Sequence, residues 1–64
     1  MKVVEIKRFL SEPFIGYPKQ LEYVIARVDN GPQKRFSADE WVQLMTQPKI
    51  EHTYSNEPLL QDNP

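Results

Sequence analysis

The chain has 64 residues, with eight Lys and Arg, nine Asp and Glu, one His and no Cys. A domain this small buries only about 60% of the surface its unfolded chain exposes, so its core needs a supplement. Without cysteine there is no disulfide framework, and one histidine with no recognisable loop spacing points to no metal or cofactor site. Association with another protein, or with a second copy of the chain, is the supplement that remains.

A net charge of −1 gives little drive toward a polyanion. The charges are nevertheless uneven: residues 1–36 hold seven basic against four acidic side chains, and residues 37–64 hold one against five. Such asymmetry suits a mixed-charge protein surface better than a nucleic acid. No apolar run reaches the roughly 20 residues of a membrane span, and MKVVEIKRFL interleaves charge with Val and Ile where a signal peptide is uniformly apolar. A soluble, cytoplasmic protein with no membrane partner is expected.

Residues 2–10 alternate Val and Ile with charge and read as a strand, with Val4 and Ile6 toward the core. Arg8 would follow them inward, so a bulge, an edge or the strand's end is expected near it. The stretch SEPFIGYPKQ, residues 11–20, is a loop by its two prolines and one glycine. It is longer than the usual connection of about 4 to 6 residues and carries Phe14, Ile15 and Tyr17, which are costly to leave in water. These side chains either fold back over the core or form an exposed anchor for a partner.

LEYVIARVD, residues 21–29, has apolar residues in both alternating sets, as expected of a central strand covered on both faces. Asn30-Gly31 is a hairpin signal, yet Pro32 lacks the N–H that a two-residue loop at that position requires. A wider loop over residues 29–33 is therefore expected, leading into a short third strand at 33–36. Lys34 and Arg35 then point to opposite sheet faces.

Ser37 and Glu40 form a capping-box pair, Phe36 can staple to Trp41, and Ala38, Trp41, Leu44 and Met45 share one helical face. Pro48 ends that helix near residue 47. KIEHTY alternates and predicts a short edge strand, while residues 55–64 are expected to form a flexible tail. The predicted fold is a small α+β domain, residues 1–54. Three antiparallel strands, four if the KIEHTY strand pairs, pack on one short helix in the order β-β-β-α(-β).

No nucleophile or carboxylate is marked beside His52, and the serines at 11, 37 and 55 have loop or capping roles, so no catalytic residue and no enzymatic activity are expected. The preferred reading is a protein-binding regulator contacting its partner through Phe14, Ile15, Tyr17 and Arg8. A domain of this size would suit a phage or mobile-element accessory protein that inhibits or modulates a larger bacterial protein. A homodimer across the open sheet face is a further expectation. The alternative reading is a sheet-based DNA binder using Lys7, Arg8, Arg27, Lys34 and Arg35. Its sheet-then-helix layout resembles, in topology alone, the arm-binding domains of phage integrases.

Overall fold

The computed structural model describes residues 1–12 and 15–60. Four strands, β1 (Lys2–Leu10), β2 (Leu21–Val28), β3 (Lys34–Ser37) and β4 (Glu51–Tyr54), form one sheet in the order β3-β2-β1-β4, and one helix, α1 (Ala38–Met45), joins β3 to β4. The α+β architecture is the expected one. The fourth strand does pair, but parallel to β1, so the sheet is mixed while β1, β2 and β3 are antiparallel. The reason is geometric. Both β1 and β3 run opposite to β2, and a helical crossover returns the chain to its starting end, so the next strand runs parallel to β1.

The helix begins as its sequence dictates. Ser37 accepts a hydrogen bond from the Glu40 N–H at 3.2 Å, and Glu40 accepts from the Ser37 N–H at 2.8 Å. Phe36 lies 6.0 Å from Trp41 between ring centroids, completing the staple. Val3, Val24, Ala26 and Trp41 form the buried centre, with Leu21, Val28, Phe36, Leu44, Met45 and Ile50 packed around them. Burying each large side chain contributes about 1.5 to 3 kcal/mol, which makes Trp41 the main tie between helix and sheet.

The register explains which side of β1 faces inward. Val3 and Glu5 pair with Val28 and Ala26, on the helix side. Val4 pairs with Arg27 and is buried on the second face, and Ile6 is the extra residue where the register shifts between Glu5 and Lys7. Val4 is thus buried as expected, on the face away from the helix, whereas Ile6, the extra residue, is half-buried. The bulge resets the phase, so Arg8, paired with Val24, follows Glu5 onto the helix side.

The reversal after β2 resolves the proline conflict by moving one residue back. Asp29 and Asn30 have φ of 51° and 62°, the positive pair that a primed turn needs, and the Gly31 N–H donates to the Val28 carbonyl at 2.9 Å. Gly31 supplies the closing N–H that Pro32 lacks. A Cβ at Gly31 would meet that carbonyl oxygen at 3.0 Å. Asp29 is also tied to the sheet, its carboxylate accepting from the Lys2 N–H at 2.9 Å.

The expected tail is divided. Residues 61–64 lie outside the described residues, whereas residues 55–60 run from the β4 edge over the second sheet face. Glu57 grips Arg27 at 2.5 Å. Gln33, buried, donates to the Pro58 carbonyl at 2.9 Å and accepts from the Leu60 N–H at 2.8 Å. The strap crosses the face on which Val4 and Ile25 are buried, and Arg27 holds the Glu57 carboxyl below its ordinary value, with Gln33 adding to the effect.

Replacing Ser37 by Ala is expected to cost about 1 kcal/mol and to lower the midpoint of thermal unfolding by roughly 4 to 8 °C. Denaturant unfolding with an unchanged slope is the check. Because the Glu57 carboxyl is lowered in the fold, its contribution is present above its ordinary value of 4.5 and is lost as the pH falls through the lower folded value. Urea midpoints should thus separate Glu57→Gln from the parent at about pH 7 and converge at about pH 3.

Candidate interaction surfaces

Three surfaces carry side chains that the core does not absorb. The first is the connection from β1 to β2. Its base is closed: the Ser11 N–H donates to the Gln20 carbonyl at 2.8 Å, and the Gln20 N–H donates to the Ser11 hydroxyl at 3.1 Å. Beyond that clasp Ile15 is 102% exposed, Tyr17 67% and the adjoining Leu10 51%. Gly16, at φ 83°, makes the turn between Ile15 and Tyr17, with nothing within 4 Å of where a Cβ would stand. Ile15 and Tyr17 thus do not fold back over the core; Phe14 lies outside the described residues. A shallow recess lined by Ser11, Glu12, Tyr17, Pro18 and Gln20 sits at the loop's base.

The second surface lies on the helix side of β1 and β4. Glu5 is only 4% exposed and is held from two directions, by Arg8 at 2.6 and 3.1 Å and by the His52 Nε2 at 2.9 Å. His52 in turn meets the Trp41 ring edge-on at 5.7 Å and lies 4.8 Å from the Tyr54 ring. The Glu5 carboxylate raises the affinity of Arg8 for its proton, which keeps the guanidinium charged in the pair. A buried carboxylate saturated by two nitrogen partners is a structural anchor, and its lone pairs are directed at the protein itself. Arg8, with 46% of its side chain exposed, adds charge to this surface while held by Glu5.

The third surface is the part of the second sheet face beyond the strap. Phe9 of β1 and Tyr23 of β2, cross-strand partners, stack with centroids 4.3 Å apart and planes inclined by 15°. Arg35 of β3 lies over the Tyr23 ring at 3.9 Å, and the Lys7 ammonium stands 5.2 Å from the Phe9 centroid. The result is a column of cation, ring, ring, cation across three strands. Lys34 pairs with Ala26 and points to the other face, as the alternation predicts.

Of the five cations considered for DNA, then, Arg8 is engaged by Glu5, Arg27 by Glu57, and Lys34 is turned away; Lys7 and Arg35 share one face. The stacked column escapes a reading by charge alone, since Phe9 and Tyr23 carry no charge. A signal for it exists in hindsight: Lys7 and Phe9 are two apart on a strand, as are Tyr23 and Ile25.

No protein-family model, no curated protein and no solved structure matches the chain. Among the described residues no group of three or more His, Asp or Glu could hold a metal ion, and no helix is long and apolar enough to cross a membrane.

Glu5→Gln removes the charge that Arg8 and His52 share. Arg8 can turn to solvent, so the expected cost is about 1 to 3 kcal/mol, below the cost of breaking a wholly buried pair. Denaturant unfolding of Glu5→Gln, Arg8→Gln and the double variant measures it, and the double variant should cost less than the sum of the two.

Proposed function

We propose that this is a non-enzymatic protein-binding module that docks through the connection between β1 and β2. One observation supports the reading above the others: Ile15 and Tyr17 stand in solvent on a loop whose base is clasped by hydrogen bonds. Large apolar side chains on a braced loop are presented at small entropic cost, and aromatic and aliphatic anchors of this kind concentrate binding energy at interfaces. Leu10, at the end of β1 where the connection begins, is likewise exposed.

The domain acts by occupancy. Having no marked nucleophile or general base, it regulates or inhibits a larger protein by covering part of its surface, in the manner of a small accessory protein of a phage or mobile element. Zero cysteines agree with work in a reducing compartment such as the cytoplasm. A second copy of the chain is the competing occupant of the same anchor, and DNA the less favoured partner, because two of the five cations considered for it are spent on Glu5 and Glu57.

Ile15→Ala combined with Tyr17→Ala is expected to change stability by less than about 0.5 kcal/mol, because both side chains are exposed. The same double variant should lose a partner that the parent domain captures from the native host, read by mass spectrometry of matched pulldowns. Retained capture by a folded double variant would refute the loop as the docking site. Sedimentation of both proteins separates partner capture from self-association.

A further inference from the structure

The column of Lys7, Phe9, Tyr23 and Arg35 is cationic at both ends, and both cations are exposed. Among the described residues neither meets a carboxylate, in contrast to Arg8 and Arg27. The Arg35 guanidinium carbon lies 3.9 Å from the Tyr23 ring centroid, a contact that uses a face of the guanidinium and not its fork of N–H donors. That fork matches a carboxylate in a bidentate pair, and the ring holds it in place beforehand, so less side-chain entropy is lost on binding.

Spacing adds a second condition. Lys7 and Arg35 both pair with Ile25, one from each side. The Lys7 ammonium, the two ring centroids and the Arg35 guanidinium carbon follow one another at 5.2, 4.3 and 3.9 Å, an end-to-end span of at most about 13 Å, which matches the separation of residues i and i+4 of an extended peptide, whose side chains share one face. Nucleic acid fits this face less well. The two rings stack on each other and each has a cation against it, which leaves less ring surface for a base, and two cations neutralise too few phosphates for useful affinity.

We propose that this face receives an acidic, extended segment of the partner protein, with two carboxylates four residues apart seated on Lys7 and Arg35. The proposal rests on the protein-binding reading and names the chemistry of the partner. Phe9 directly precedes Leu10 at the end of β1, so the column stands at the end of the sheet from which the β1–β2 connection leaves.

The test uses fluorescein-labelled octapeptides of threonine and serine bearing two glutamates at i and i+4, read by fluorescence anisotropy against the full chain at low and at physiological ionic strength. Controls are the same peptide with both glutamates as glutamine, one with adjacent glutamates, and a thymidine oligonucleotide. The i and i+4 peptide is expected to bind best and to weaken with salt. Arg35→Gln and Lys7→Gln, each shown to be folded by circular dichroism, should each weaken it about threefold to fivefold, the size of an exposed ion pair. Arg35→Lys should fall between, since it keeps the charge and loses the fork.

Equal binding of the glutamine peptide, no binding at low salt, or tighter binding of the oligonucleotide would each overturn the proposal. The loop variant with Ile15→Ala and Tyr17→Ala is expected to bind the acidic peptide as the parent does. Failure of the peptides with loop-dependent capture intact would therefore reject the acidic site and leave the protein-binding reading standing. Peptide binding by a domain whose partner capture ignores the loop would reject the loop instead.

Discussion

The helix is too short for the sheet it covers. Eight residues of α-helix extend about 12 Å, whereas four strands placed about 4.8 Å apart present a broader face once side chains are included. The helix accordingly lies over β2 and β3, and Trp41 alone reaches toward β4, where it meets the edge of His52. The rest of the helix-side face, on β1 and β4, has to be closed in another way. Glu5, Arg8, His52 and Tyr54 close it with a hydrogen-bonded polar cluster.

That cluster depends on one extra residue. Without the bulge at Ile6, strict alternation would send Arg8 to the face opposite Glu5, leaving a buried carboxylate with His52 as its partner. The inserted residue keeps both on one side and simultaneously places Lys7 and Phe9 together on the other. A single irregularity in β1 thus builds the buried ion pair and one half of the cationic column.

The second face has the same shortage of cover. Residues 55–60 strap the end near Arg27 and Gln33, and the stacked rings of Phe9 and Tyr23 stand at the other end. One acidic group from the C-terminal half, Glu57, is used on a basic and a polar partner from the first half, Arg27 and Gln33. Charge asymmetry along the chain therefore becomes internal pairing at one end of this face and, at the other, a cationic column that meets no carboxylate among the described residues. β1 carries Phe9 of the column and leads through Leu10 into the connection that bears the exposed Ile15 and Tyr17.

Much of this was legible in the residues themselves. The alternation of Val24, Ile25 and Ala26 identified a central strand; Ser37, Glu40, Phe36 and Trp41 fixed the helix start; and Pro32 excluded a turn centred on Asn30-Gly31. Those features are written in neighbours, because capping, turn chemistry and periodicity act over at most a few positions. The exposure of Ile15 and Tyr17 was not written there, since the same side chains could have closed the core. Nor were the parallel placement of β4, the pairing of Glu5 with His52 across 47 positions, or that of Arg27 with Glu57 across 30. These contacts join residues whose local sequence carries no trace of each other; they exist because a short helix leaves sheet area open and the folded chain brings its remaining polar groups there to cover it.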